Sequence, residues 1–443
     1  MGWAQEDSEQ TPASPDSAPP FAPAIAPRPE LLIGLDQGPT PVLEQRSFLV
    51  GGVHIGENAA SDSSQLSSIT VAFGNLSFLS VRRHAQTAID YLGGAEISNN
   101  ASFLGSSSIQ VHQLTAEHHM LWRRRTLTLY DRFSNLPGGD FGSAWFGGAG
   151  LYNLAIEGVN ANQPVPSNLS NFFAASDFGG FEGSHINNVS LAEYREMLSP
   201  RSTFAVIGGY GFTDYSGTPG LINTRLAGTL VNYGHKLGRR DHIGFSYRFQ
   251  KLIFPQAGAG DIYTNSLQLV YGHQISSRMS FGIGVGPQFV ELNNPSNGSV
   301  NQINGGGNIS LAYLLHKNRL AAGCDRQVTG GSGLFAGANT DSCQFSVVHT
   351  AHTWSVSLDA GYADLSPIGQ ISLGYTAQGY RYVFAGAAID RNLGQHVSAF
   401  AGYQFNSQSF GTALCTASIS CNQMREHLFS MGIDFRTRPR RLE

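Results

Sequence analysis

The stretch "MSFGIGVGPQF", Met279 to Phe289, places an apolar residue at every odd position: Met279, Phe281, Ile283, Val285, Pro287 and Phe289. Ser280, Gly282, Gly284, Gly286 and Gln288 hold the even ones. A period of two is that of an extended strand, whose successive side chains point to opposite faces. The two faces therefore meet different surroundings. A soluble sheet would turn the apolar face to a core and the small, polar face to water. A membrane barrel would turn the apolar face to lipid and the other to its interior. The rest of the chain decides between them.

Only 13% of the 443 residues are charged, against roughly 25% in soluble domains. Glycine is abundant, at 53 residues. The formal net charge is −4, with 24 Arg but only 3 Lys, so no overall basic surface recommends nucleic acid as a partner. No segment approaches the roughly 18 consecutive apolar residues of a transmembrane helix; "LAYLL" at 311–315 is typical of the short runs present. A helical membrane protein is excluded. The opening "MGWAQEDSEQ" has neither a basic nor an apolar leader segment and is read as a mature start from which a signal peptide has been removed.

Residues 1–45 hold 9 of the 19 prolines and little that could form a core, so they are expected to be a disordered arm of polyproline II character. From residue 46 to 436 the texture is alternation, broken by Gly, Ser and Asn clusters. Segments of about 10 to 14 residues begin with 47–56 and end with 423–436, and eighteen of them can be counted. Boundary error leaves 16 as the alternative count. Ile243, Phe245, Tyr247 and Phe249 alternate with Gly244, Ser246, Arg248 and Gln250. Phe429, Met431, Ile433 and Phe435 close the chain in the same way. Strands this long exceed the soluble mode of about 5 to 6 residues and match the roughly 9 to 11 that cross a bilayer when tilted. "SLAEYREML" at 190–198 is the one segment that also fits a helical period.

Short connections alternate with long ones, and charge follows that division. Thirteen Lys or Arg, among them Arg82, Arg83, Arg239, Arg240 and Arg278, lie at or beside the tight turns. Arg436, Arg438, Arg440 and Arg441 follow the last strand, and none of the 27 lies in a long loop. This segregation gives the sheet two chemically distinct ends. Outer-membrane barrels have short periplasmic turns, long outer loops and both termini inside, so both termini are expected to be periplasmic. Residues 437–443 form a short basic tail.

A closed sheet of 16 to 18 strands is too wide for side chains to fill, which implies an aqueous interior. Register assigns Arg225, Arg248, Asp359 and Arg381 to the inward face, where they would set solute selectivity. Residues 134–186 form an insert between the fifth and sixth strands that is rich in aromatic residues. It is expected to fold into or across the mouth as a constriction, with Trp145 and Phe146 packing there. Asp140, Glu157, Asp177 and Glu182 would give it a negative edge. A loose surface cap is the alternative.

Cys324, Cys343, Cys415 and Cys421 form two close pairs. Local connectivity, Cys324 with Cys343 and Cys415 with Cys421, suits an oxidising compartment, with four reduced thiols as the alternative. Neither pair has zinc spacing. His118 and His119 are adjacent, so in a strand they point to opposite faces and cannot readily grip one ion. "GGSG" at 330–333 lacks the Lys and helix of a phosphate loop and reads as a loop tip. No metal, cofactor or catalytic constellation is expected, and an enzyme is disfavoured.

The final strand "HLFSMGIDF", ending at Phe435, resembles the C-terminal signal of outer-membrane barrels. In length, strand number and the long loop after the fifth strand, the chain resembles general and sugar-selective porins. The loop "TGGSGLFAGANTD" at 329–341, with its following strand and the turn "HTAHTW", is similar to segments of bacterial outer-membrane β-barrel proteins. The resemblance spans about residues 47–435. It implies passive diffusion of small hydrophilic solutes across an outer membrane, with membrane lipids as partners and room for a homo-oligomer. The alternative is a plugged structural or adhesion barrel, or the membrane component of an export assembly.

Overall fold

In the computed structural model the described residues are 46–61, 66–99, 108–136, 185–215, 222–255, 260–276, 278–294, 298–315, 317–331, 335–368, 379–394, 396–410, 424–437 and 440–441. The first nine strands are β1 (Arg46–Ser61), β2 (Leu66–Arg82), β3 (Ala85–Ser98), β4 (Ser108–Leu121), β5 (Arg125–Leu136), β6 (His185–Ser199), β7 (Ser202–Asp214), β8 (Thr224–Lys236) and β9 (Asp241–Ile253). The second nine are β10 (Asp261–Ser276), β11 (Met279–Asn294), β12 (Gly298–Leu315), β13 (Asn318–Thr329), β14 (Ala338–Thr350), β15 (Trp354–Pro367), β16 (Tyr380–Asn392), β17 (Val397–Phe410) and β18 (Met424–Arg436). Each is antiparallel to its neighbours in sequence. The ring closes where β1 meets β18, from Gly52 opposite Arg436 to Ser61 opposite His427. A two-residue strand, β19 (Arg440–Arg441), adds to β1 opposite Phe48 and Leu49. The chain is a closed, 18-strand, up-and-down transmembrane β-barrel.

Closure follows from the sequence pattern. Strands with a greasy face and a polar face cannot leave an edge in lipid, since an unpaired N–H or C=O there has no water to bond, and only a closed ring pairs every strand. The outside is the greasy face. Val285 is 54% exposed and Ile433 55%, whereas Gln288, one face away in β11, is 4% exposed. Met431, Phe429, Ile55, Phe245 and Leu269 share that outward exposure. "SLAEYREML" lies wholly within β6, paired on both sides, so ladder bonding overrides its local helical spacing.

Tight turns join β2 to β3, β4 to β5, β6 to β7, β8 to β9, β10 to β11, β12 to β13, β14 to β15 and β16 to β17. β1 starts and β18 ends at this short-turn end. The β13–β14 ladder places Cys324 directly opposite Cys343, and the two form a disulfide on the outward face. Cys415 and Cys421 lie outside the described residues.

Candidate permeation pathway

The inward face is polar but not empty. In β11, the position where a Cβ on Gly284 would stand is approached by Asn308 Oδ1 from β12, with Gln268 Oε1 of β10 at 3.3 Å. The room left by this glycine is filled by amide side chains. In the sector nearest the closing seam, His54 Nδ1 lies 2.7 Å from Asp434 Oδ1, and its ring stacks on Phe400 at 4.7 Å. Tyr382 donates to Asn406 Oδ1 at 3.1 Å, Gln404 donates to the same oxygen at 2.9 Å, and Asn406 Nδ2 donates to Glu426 at 3.3 Å. Such chains satisfy groups that would otherwise be buried without partners.

Charges on the inward rows are predominantly acidic. The body of the wall carries Asp90, Glu96, Glu117, Glu193, Asp325, Asp359, Asp390, Glu426 and Asp434, against Arg132, Arg195 and Arg248. Lys236, Arg319 and Arg436 stand at the short-turn rim. The three wall arginines are all held. Arg195 Nη2 bonds Glu193 at 2.5 Å. With the Gln113 amide turned so that its oxygen faces Arg132, that oxygen accepts from Nε at 3.2 Å and Nη2 at 3.1 Å. Arg248 Nη1 donates to Gln327 Oε1 at 2.7 Å, reaching from β9 to β13.

Of the four residues that register assigned inward, Arg248 and Asp359 lie on inward rows. Arg225 and Arg381 do not, and this corrects the sequence expectation. Arg381 stands on the outward row with Val383, its side chain 69% exposed, and its Nε donates to Asp364 Oδ2 at 3.1 Å. Arg225 is exposed on the outward row of β8. The reason in both strands is apolar residues that turn inward. Tyr382 and Phe384 are buried with Phe335, Ala338, Ala363 and Leu365, which forces Arg381 outward. In β8 Leu226 packs inward against a second apolar cluster, which forces Arg225 out.

That second cluster was missed from sequence. It gathers Leu252, Phe254, Ile262, Val290 and Leu292 from β9–β11 and the loops beside them, with Ile222, Val328, Ala336 and Ile368. These residues lie at the long-loop end, and the element that completes the cluster is the connection between β13 and β14. Phe335 and Ala336 are buried, Phe335 N donates to Gly331 O at 3.1 Å, and Ile368 N donates to Gly337 O at 3.2 Å. Gly331 and Gly337 have φ of 82° and 85°, the left-handed region that glycine alone enters freely. A Cβ at Gly330 would stand 2.9 Å from Thr224 Cγ2 of β8, and one at Gly337 would run into Ile262 of β10. Gly330, Gly331 and residues 335–337, the described parts of this connection, therefore pack inward at the mouth, and Ser332, Gly333 and Leu334 of the expected loop tip lie outside the described residues. The available signal was Phe335 set among glycines. The constriction residues expected in the long insert, Asp140, Trp145, Phe146, Glu157, Asp177 and Glu182, lie outside the described residues.

His118 and His119 point to opposite faces. His118 Nδ1 meets Thr87 at 2.8 Å on the outside; His119 lies inside, with Thr128 at 3.0 Å and Glu117 at 2.7 Å. Among the described residues no group of three His, Cys, Asp or Glu could hold a metal ion.

These features define a class, the wide membrane β-barrel with a charged, water-compatible interior. The sequence matches no family model and no curated protein. Among solved structures it is similar to OccK2 (OpdF) of Pseudomonas aeruginosa in complex with glucuronate, at 10% identity over 88% of this chain and 98% of that one, with a TM-score of 0.45. A BenF-like porin from Pseudomonas fluorescens Pf-5 aligns at 9% identity over 91% and 100%, with a TM-score of 0.44. The FrpB iron transporter of Neisseria meningitidis (F5-1 variant) aligns at 7% over 92% and 83%, with a TM-score of 0.41. At such scores the fold stands on its own hydrogen-bond ladder.

Proposed function

We propose that the chain is an outer-membrane channel for passive diffusion of small hydrophilic solutes, with the short-turn end and both termini in the periplasm. The observation that carries this reading is the closed 18-strand wall with an apolar outside and a charged inside. A ring of that size encloses more space than side chains on its wall fill. The excess of inward carboxylates over arginines favours cations, since wall charges at close quarters select by sign. The outward lipid-facing row and the basic short-turn end support the orientation by matching anionic headgroups with arginine. Homo-oligomers are compatible with the outward surface.

Planar-bilayer recording of the purified chain tests it. A steady conductance with a reversal potential displaced toward cations in a salt gradient is expected. The apolar packing around Phe335 at the mouth favours a second reading, a plugged structural barrel. Intact, membrane-inserted protein with no conductance would decide for that reading.

A further inference from the structure

The ladder between β12 and β13 is incomplete. It runs from Leu315 opposite Asn318 only as far as Gly307 opposite Arg326, although β12 continues to Gly298 and β13 to Thr329. Continued in register, Gly306 would face Gln327 and Gly305 would face Val328. Instead Val328 is buried in the inward apolar cluster and Gln327 accepts from Arg248 across the lumen. The end of β13 has turned into the barrel and left the edge of β12. Among the described residues no strand takes its place.

The gap is flanked on its β11 side by outward apolar residues and begins, on its β13 side, at an outward charged row in which Arg326 stands opposite Asp341 and Asp364 opposite Arg381. On β11, Val285 stands opposite Gly307, Pro287 opposite Gly305 and Phe289 opposite Ile303, while Glu291 and Asn301 mark the polar end of the apolar row. Ile303 is 73% exposed. An open strand edge in lipid is tolerated only where it lines a space that water reaches. The edge is also lined by the smallest side chain: a Cβ at Gly305 would meet nothing within 4 Å. Among the described residues, side-chain bonds bridge from β12 here, Asn304 Nδ2 to Asn339 Oδ1 at 3.2 Å and Gln302 Nε2 to Ile368 O at 3.4 Å. Behind the seam lie Val328, Val290 and Ile262, all apolar. At its floor, outside, Arg326 Nε is 3.5 Å from Asp341, a charged pair at the lipid surface.

We propose that the β12–β13 seam is a lateral portal through which a small apolar or single-chain amphiphilic solute passes between the lumen and the lipid of the long-loop half. An apolar tail is accepted by the cluster behind the seam, and a polar head is met by Arg326 and Asp341 in front. The proposal rests on the channel reading only in requiring a lumen open at the short-turn end. It differs from that reading in the class of solute and in the path taken.

The test staples the seam. Gly306→Cys and Gln327→Cys are introduced together into the full chain with Cys415→Ser and Cys421→Ser, and dibromobimane links the pair, its fluorescence reporting the link. The uptake of N-phenyl-1-naphthylamine is followed in bacteria with a lipopolysaccharide outer leaflet, and single-channel conductance in potassium chloride is recorded on the same protein. The unlinked double-cysteine chain, checked for the heat-dependent gel mobility of a folded barrel, is the reference. Linking is expected to cut uptake of the apolar probe at least five-fold and leave conductance unchanged. Uptake that does not respond to the link overturns the portal, and so does a parallel loss of uptake and conductance, which would mean the link had blocked the lumen. Absence of conductance in every chain would overturn the channel reading alone, because the uptake comparison is still read.

Discussion

His54 Nδ1 and Asp434 Oδ1 lie 2.7 Å apart on the inward face, across the one strand pair that joins the beginning of the barrel to its end. The imidazole is 6% exposed and also lies flat against Phe400. A charge-assisted hydrogen bond in such a place contributes roughly 1.5–3 kcal/mol. It does so at the seam that closes the ring, where β1 and β18 are the most distant partners in sequence among the eighteen long strands. His54→Ala is expected to lower the urea midpoint of the refolded barrel. His54→Phe, which keeps the ring against Phe400, should recover only part of the loss. Equal midpoints for wild type and His54→Ala would show that the ladder alone closes the ring.

Arg248 and Arg381 separate the two faces by function. Arg248 faces the lumen and crosses to Gln327; Arg381 lies outside with Asp364. Arg248→Ala should shift the reversal potential further toward cations, because it removes a positive charge from the pore wall, and should alter single-channel conductance. Arg381→Ala and Arg225→Ala should leave both unchanged. A response to Arg381→Ala as large as that to Arg248→Ala would refute the assignment of faces.

Phe335 is 3% exposed, between the apolar cluster of β14–β16 and the inward fold that ends at Gly337. Phe335→Ala removes a buried ring, a change that costs roughly 3–5 kcal/mol in a packed core. The loosened fold should widen the mouth and raise conductance, while gel mobility of the folded barrel persists. Unchanged conductance with a lowered unfolding midpoint would mean that the fold packs at the mouth without narrowing it.

The strands themselves were legible in the sequence because a period of two survives along most of their length, and the eighteen long strands observed correspond to the eighteen segments counted. Boundaries moved most in β12, which the sequence began at 305 and the structure begins at Gly298. Its extra residues Asn301, Gln302 and Asn304 carry no apolar alternation. The inward register of Arg225 and Arg381 failed for a reason no local pattern reveals. A lumen that is polar by rule becomes apolar wherever a loop packs into it, so Tyr382, Phe384 and Leu226 turned inward against the expected sign. Binary patterning assigns residues to two faces but does not name the solvent of each face at every height. The β13–β14 fold depends on glycines at φ of 82° and 85° and on partners up to five strands away, which alternation does not encode.

Cys324 and Cys343 stand opposite one another across β13–β14, 19 residues apart in sequence. By the chain-entropy argument a bridge closing a loop of that length restricts the unfolded chain by about 3 kcal/mol. The double replacement Cys324→Ser with Cys343→Ser should lower the unfolding midpoint without altering conductance, since both side chains face outward. In a Cys415→Ser, Cys421→Ser background, reductant should reproduce the shift while Cys324 and Cys343 are present and have no effect once both are replaced. A change in conductance would place the bridge in the permeation path instead.

Val285 and Ser246 test the reading of the faces most directly. Val285 sits in the middle of the outward row of β11, 54% exposed, between Ile283 and Pro287. Ser246 lies on the inward row of β9 between Gly244 and Arg248 and is half-buried. An arginine at the lipid-facing midplane of a barrel costs about 2–4 kcal/mol, and an arginine facing water costs far less. Val285→Arg should therefore lower folding stability in vesicles strongly and in short-chain detergent weakly, since detergent gives the charge access to water. Ser246→Arg should be tolerated in both and should instead move ion selectivity toward anions. If the two substitutions behaved alike, or if Val285→Arg were harmless in vesicles, the apolar row would not face lipid.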